Sequence, residues 1–188
     1  MSLVELIAQA DERGLAASGL ACLDRCIPLL GVDDEVLRPL WASLAGRSDW
    51  GESLEKARGA LDPAQPDDDE AARLARRMLE AAPAERTADG IRAWADACSV
   101  ASLRIHRLLD PAADGAEPDE AADGLEEGRA GRSDAGYPLV AAELRRQVTV
   151  LELLADHGAT GLRQALEVSV EGRRVLRAVV SRRLRGRT

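Results

Sequence analysis

Cysteine and histidine are the residues of this sequence with the most specific chemistry, and both are scarce. Cys22 and Cys26 stand four residues apart in the stretch ACLDRCIPLL, and the third cysteine is Cys98. Side chains at i and i+4 share one face of a helix, so this pair could form a thiolate-rich metal or redox site if Cys98 packed opposite it. Structural zinc sites need further Cys or His ligands, whereas His106 lies at the edge of an apolar stripe and His157 at a predicted helix end.

A helical wheel favours a structural role for these cysteines. Cys22 and Cys26 fall in the apolar half of their predicted helix, while Asp24 and Arg25 fall in the other half. Cys98 lies within the apolar stripe of a second predicted helix, and a buried free thiol behaves as a small hydrophobic side chain. We therefore predict three buried thiols and no metal ligand, with a metal site and redox chemistry as the alternatives.

No sequence motif indicates catalysis. The chain contains none of the patterns H-E-x-x-H, GxxxxGK[ST], G-x-S-x-G and G-x-G-x-x-G. The acidic run Asp67 to Glu70 has four adjacent members, which point in different directions on a helix and are better explained as a helix N-cap. We therefore expect no catalytic residue and no cofactor. An enzyme or small-ligand-binding protein without a recognisable motif is a third hypothesis.

The composition predicts an all-α protein. Hydrophobic residues make up 46% of the chain, yet aromatic residues make up only 2%, so most of the apolar content is Ala, Leu and Val. Ala and Leu favour helices, whereas aromatic residues favour strands. We predict a single helical-bundle-like domain of about eight helices: N-terminal helices within 1–62, central helices within 67–109 and C-terminal helices within 137–188. The first two helices are expected at 3–13 and 15–30, and the last three helices at the centre of the bundle.

Segment 110–136, between helices six and seven, differs from the rest of the chain. It contains nine acidic residues against Arg129 and Arg132, and Leu125 is its only large aliphatic residue. Such a composition buries too little apolar surface to offset the entropy of ordering the chain. We expect a flexible acidic linker, with a helical turn near Asp119 to Leu125. One hypothesis is that it folds over the basic C-terminal helix and forms a salt-sensitive latch.

The C-terminal helix is rich in arginine, although the whole chain has a net charge of −8. Arginines near a helix C-terminus stabilise the helix by interacting favourably with its dipole. Arginine is also enriched among the residues that contribute most to protein–protein binding. The candidate partner-binding residues are Arg173, Arg174, Arg177, Arg182, Arg183, Arg185 and Trp50. For Trp50, the alternative is a side chain that staples a helix start to the core. Lys56 is the sole lysine, which indicates the coding bias of a GC-rich genome and weakens any count of arginines.

These features favour a non-catalytic helical protein–protein interaction module, such as a regulatory or adaptor protein. A protein partner or a homo-oligomer is expected. The alternative is a nucleic-acid-associated regulator that uses the C-terminal arginines, but the net negative charge and the scarcity of stacking aromatic residues oppose it. The sequence has no secretion signal and no apolar run of the roughly 20 residues that span a bilayer. We therefore expect a cytoplasmic protein with reduced thiols and no membrane partner.

Overall fold

The computed structural model describes residues 1–64, 69–113, 118–132 and 136–186. Within these ranges the chain forms helices and no strand, which confirms the all-α prediction. The ranges contain the eight predicted helices and one more, α7. The helices are α1 (Leu3–Gln9), α2 (Glu12–Arg25), α3 (Arg38–Leu44), α4 (Trp50–Gly59), α5 (Glu70–Glu80), α6 (Ala88–Leu109), α7 (Pro118–Arg129), α8 (Pro138–His157) and α9 (Leu162–Arg185). None of the described helices is both long and apolar enough to cross a lipid bilayer.

The first two helices are shorter than predicted, and local chemistry explains where they end. Helix α1 stops at Gln9 because Asp11 begins the next helix, where its side chain accepts a hydrogen bond of 2.7 Å from the Gly14 N–H. Helix α2 stops at Arg25 because Pro28 lacks the N–H that an α-helix would need there. A short 3-10 helix, Ile27–Leu29, follows.

Helix α2 is the centre of the bundle, which corrects the prediction that the last three helices occupy it. It packs against α6, α8 and α9. Every residue from Gly14 to Arg25 is buried, including Asp24 and Arg25, which were predicted to lie on a polar half. The predicted polar half is absent because neighbouring helices cover all sides of α2 between Gly14 and Arg25. Its two innermost charges must therefore find partners within the protein.

Gly19 allows α2 and α6 to approach closely. A Cβ at this position would lie 2.6 Å and 2.8 Å from the Cζ3 and Cε3 atoms of Trp94. The indole Nε1 of Trp94 donates a hydrogen bond of 2.8 Å to the Met78 carbonyl, so the ring cannot retreat without losing this bond. A larger residue at position 19 would therefore strain the interface.

We expect Gly19→Ala to lower the free energy of unfolding by about 1–3 kcal/mol, as overpacked cores do. This loss would outweigh the gain of about 1 kcal/mol in helix propensity that alanine brings. Urea unfolding followed by far-UV circular dichroism measures the change. Gly59→Ala is the matched control, because a Cβ at the exposed end of α4 meets open space. Equal losses in both variants would contradict the close contact at Gly19.

Segment 110–136 contains more helix than predicted. Helix α7 is longer than the helical turn expected near Asp119 to Leu125. Leu125 is buried against Leu103 of α6 and Val140 of α8, and Arg129 forms ion pairs with Asp96 of α6 and with Glu126. These contacts hold α7 on α6 and α8. The parts of the predicted linker at 114–117 and 133–135 lie outside the described residues.

Candidate functional site

A cluster of polar side chains lies in the interior, where α2, α6 and α8 meet. At its centre Glu143 of α8 accepts two hydrogen bonds from Arg25 of α2, from Nε to Oε2 at 2.7 Å and from Nη2 to Oε1 at 2.6 Å. Both side chains are completely buried, with 0% exposed. Such a two-point contact between a guanidinium and a carboxylate is the strongest form of ion pair between side chains.

Helices α6 and α8 complete the hydrogen bonding of Glu143. Its Oε1 also accepts hydrogen bonds from Ser102 Oγ at 2.8 Å and from Gln147 Nε2 at 2.9 Å. Ser99 Oγ donates to Gln147 Oε1 at 2.6 Å. His106 lies with Nδ1 2.7 Å from the Ser102 carbonyl oxygen and Nε2 3.5 Å from Glu143 Oε2. We call Arg25, Ser99, Ser102, His106, Glu143 and Gln147 the buried polar cluster.

The protonation states in the cluster follow from burial and charge. Burial by itself raises the pKa of Glu143, but Arg25, His106 and the hydrogen bonds outweigh it and hold this pKa at about 2. Burial lowers the pKa of Arg25, and the carboxylate of Glu143 more than reverses that effect. For His106, burial lowers the pKa further than Glu143 raises it. The cluster therefore contains one carboxylate, one guanidinium and a neutral imidazole at neutral pH.

The three cysteines are buried, as predicted, and none of them forms a disulfide bond. Cys22 Sγ lies 3.5 Å from Arg25 Nη2, and Cys26 Sγ lies 3.9 Å from Ser102 Oγ. Burial raises the pKa of Cys22 to about 12 and also raises the pKa of Cys26 and Cys98, so all three are neutral thiols. Among the described residues, no group of three or more Cys, His, Asp or Glu side chains is arranged to hold a metal ion.

The buried polar cluster is a structural element of the core. Glu143, His106 and Ser102 are residue types that perform acid–base chemistry in enzymes, but each is at least 97% buried. A substrate would have to separate α2, α6 and α8 to reach them. The cluster instead joins the three helices through a carboxylate whose hydrogen bonds come from all three.

A second buried charge pair fixes α9 to the N-terminal helices. Arg173 Nη1 lies 3.3 Å from Asp24 Oδ1 and donates a hydrogen bond of 2.6 Å to the Asp34 carbonyl oxygen. Asp24 Oδ2 accepts a hydrogen bond of 2.9 Å from Trp41 Nε1. Burial raises the pKa of Asp24, and the nearby Arg173 and the bond from Trp41 oppose this rise. Arg173 therefore has a structural position in the interior.

The other predicted partner-binding residues are divided between internal contacts and the surface. Trp50 is buried, donates a hydrogen bond of 2.8 Å from Nε1 to the Pro83 carbonyl and meets the Trp94 ring edge-on at 5.9 Å between centroids. This geometry favours the stapling interpretation of Trp50. Arg183 Nη1 donates a hydrogen bond of 3.0 Å to the Leu108 carbonyl in the last turn of α6, where helical carbonyls lack partners.

The exposed arginines lie in the second half of α9. The last buried residue of this helix is Leu176. Beyond it Leu184 is 62% exposed, more than the exposed aliphatic side chains Val4, Leu108 and Val175. Arg177 and Leu184 are seven residues apart and so lie about two turns apart on the same side of the helix. We call the exposed residues Arg174, Arg177, Arg182, Leu184 and Arg185 the basic face of α9.

A shallow apolar groove lies on a different part of the surface. It is lined by Leu3 of α1, by Leu144 and Val148 of α8, and by Gly128 and other residues. Of the described residues that line the groove, Arg145 is the one with a charged side chain, whereas the basic face carries four arginines. The basic face is therefore the candidate functional site.

Comparisons with known proteins place the chain in no established class. No family model matches it, and no characterised protein and no solved structure shows significant similarity to it. The function is therefore argued from the geometry of the molecule.

Proposed function

We propose that this protein is a non-catalytic helical interaction module whose basic face on α9 binds an acidic segment of a partner protein. The observation that carries the proposal is an exposed leucine, Leu184, which lies beyond the last buried residue of the helix and on the same side as the exposed Arg177 two turns earlier. Arginine is enriched at interaction hot spots, where a buried apolar contact and charge pairing act together.

The chemistry of the basic face favours a protein partner over a nucleic acid. Phosphate contacts need positive charge alone, and Leu184 adds nothing to them. A partner segment with carboxylates around an apolar side chain would use both the arginines and the leucine. The net charge of −8 also repels a polyanion over long distances, whereas a short acidic segment meets only the local field of α9.

A binding experiment with defined probes tests the proposal. The first probe is a fluorescein-labelled peptide in which leucines recur at helical spacing among glutamates, and its binding is measured by fluorescence anisotropy. We expect Leu184→Ser and the double variant Arg182→Gln/Arg185→Gln each to weaken binding by about tenfold, corresponding to about 1.4 kcal/mol. Arg163→Gln is the matched control, because Arg163 is 88% exposed at the opposite end of the same helix.

Two further probes separate the alternatives. A peptide with serine in place of every leucine should bind more weakly to the wild type and be insensitive to Leu184→Ser. A single-stranded oligonucleotide tests the nucleic-acid alternative. Tighter binding of the oligonucleotide than of the leucine-containing peptide, with a steep salt dependence, would favour the nucleic-acid alternative. Equal binding of all probes by the Arg163 and Leu184 variants would contradict a site on the basic face.

A further inference from the structure

Arg177 of the basic face is paired with a carboxylate from the same chain. Asp34, in the loop between the 3-10 helix Ile27–Leu29 and α3, forms a two-point ion pair with Arg177. Nη1 of Arg177 donates to Asp34 Oδ2 at 2.8 Å, and Nη2 donates to Asp34 Oδ1. The guanidinium of Arg177 therefore holds a carboxylate in the geometry that an acidic partner residue would adopt.

The Asp34–Arg177 pair is open to water. The side chains are 37% and 47% exposed, respectively. Ion pairs between exposed side chains contribute little to stability, because water screens them and both side chains lose freedom. A partner carboxylate can therefore replace Asp34 at little energetic cost.

The backbone of Asp34 is fixed independently of its carboxylate. The carbonyl oxygen of Asp34 accepts the hydrogen bond from Arg173 Nη1, and Arg173 is buried beside Asp24. This contact keeps residue 34 against α9 whether or not its carboxylate is bound. The carboxylate is thus presented to Arg177 as a permanent internal competitor.

We infer that Asp34 is an autoinhibitory residue: its carboxylate occupies Arg177 in the free protein and is displaced when an acidic partner segment binds along the basic face. The inference rests on the proposed function and adds a regulatory contact to it. It also defines the partner further. A bound acidic segment extends from Leu184 back along α9 by about two turns, so that one of its carboxylates replaces Asp34 at Arg177.

The test is a double-mutant cycle with the same glutamate–leucine peptide. Asp34→Asn removes the competing charge and retains the backbone carbonyl that Arg173 binds. We expect it to increase the affinity for the peptide about two- to fivefold, the range that corresponds to an exposed ion pair. Asp34→Asn should not increase the affinity when Arg177 is already replaced by Gln, because the guanidinium that the substitution would free is then absent. Asp33→Asn is the matched control, since it removes an equal charge from the adjacent residue.

The outcomes separate this inference from the proposed function. If the wild type binds the peptide through Leu184 and Arg182 but Asp34→Asn brings no gain, the autoinhibitory contact is wrong and the binding face stands. An equal gain from Asp33→Asn and Asp34→Asn would show a general charge effect and would also overturn the contact. If neither the wild type nor Asp34→Asn binds the peptide, both proposals fail.

Discussion

Glu143→Gln is expected to lower the free energy of unfolding by about 3–5 kcal/mol, the range for breaking one partner of a buried ion pair. The substitution changes almost no volume, so the loss does not come from a cavity. It comes from Arg25, whose buried guanidinium would face a neutral amide in place of a carboxylate. The amide oxygen can accept only one of the two hydrogen bonds that Arg25 now donates to Glu143, because an NH2 group replaces the other carboxylate oxygen.

Urea unfolding followed by far-UV circular dichroism measures this loss. Glu167→Gln is the matched control, because Glu167 forms an exposed pair with Arg163 on α9. Such a change on the surface is expected to stay within about 0.5 kcal/mol of the wild type. A similar loss of unfolding free energy in the two variants would contradict the claim that leaving a buried charge unpaired destabilises the protein more than leaving an exposed one unpaired.

A double variant distinguishes loss of the pair from general damage to the core. Arg25→Met/Glu143→Gln removes both charges, and the amide oxygen can still accept the hydrogen bond from Ser102. We expect this variant to be more stable than Glu143→Gln alone, because no unpaired charge remains buried. If the two substitutions destabilise additively instead, Arg25 and Glu143 do not stabilise the fold as a pair.

The sequence predicted the helices well because their signals are local. Asp49 and Thr87 each cap a helix by accepting a hydrogen bond from a backbone N–H three residues later. These contacts lie within one turn, so composition and spacing are sufficient to find them. The buried position of Cys22 could be predicted for the same reason, since it depends on the apolar neighbours in its own helix.

The buried position of Arg25 could not be predicted, because its partner Glu143 is 118 residues away in the sequence. A charge on a helical wheel is normally assigned to the solvent side, and only a partner from another element reverses that assignment. The sequence does hold one signal on the partner helix. Glu143 and Gln147 follow Val140 and precede Val150 at spacings of three and four, which places both polar residues within an apolar stripe.

The burial of the arginines of α9 also could not be predicted from the sequence. In the sequence they form one basic run, but the structure assigns them different contacts. Arg173 follows Ser169 and precedes Leu176 on the buried side of the helix, where Gly172 leaves room for the side chain of Arg25. Arg177 is one turn further on and reaches the surface. Only the packing of α9 against α2 and the Asp34 loop separates the buried arginines from those on the surface.

Acidification is expected to destabilise the protein in two stages, and Glu143 accounts for the lower one. Its pKa is about 2 in the folded protein against an ordinary value of 4.5. A lowered carboxyl pKa contributes stability that is complete above the unfolded value and is lost as the pH falls towards the folded value. A shift of this size corresponds to about 3 kcal/mol at 1.36 kcal/mol per pKa unit. This contribution declines below about pH 5.

His106 accounts for the stage at higher pH, and it also destabilises the folded protein as the pH falls. Its pKa is lowered from 6.5 in the folded protein, mainly by burial, with Arg25 and Arg146 adding to the effect and Glu143 opposing it. The unfolded chain therefore binds a proton at this residue before the folded chain does. Stability must fall as the pH drops through about 6.5 and must keep falling until the folded protein also becomes protonated.

Urea unfolding of the wild type and of His106→Asn at several values between about pH 7.5 and about pH 5 tests this assignment, because the ordinary histidine pKa lies inside the range. Asparagine can still donate to the Ser102 carbonyl that His106 Nδ1 meets. We expect the wild type to lose stability across this range and His106→Asn to lose less, since it has no imidazole to protonate in the unfolded state. His157→Gln, at the exposed end of α8, controls for the removal of a histidine. Parallel profiles for the wild type and His106→Asn would mean that folding does not shift the pKa of His106. A wild type that gains stability relative to His106→Asn as the pH falls would mean that the imidazole is charged beside Glu143 in the folded protein, so that the cluster would contain an ion triad in place of a pair with a neutral histidine.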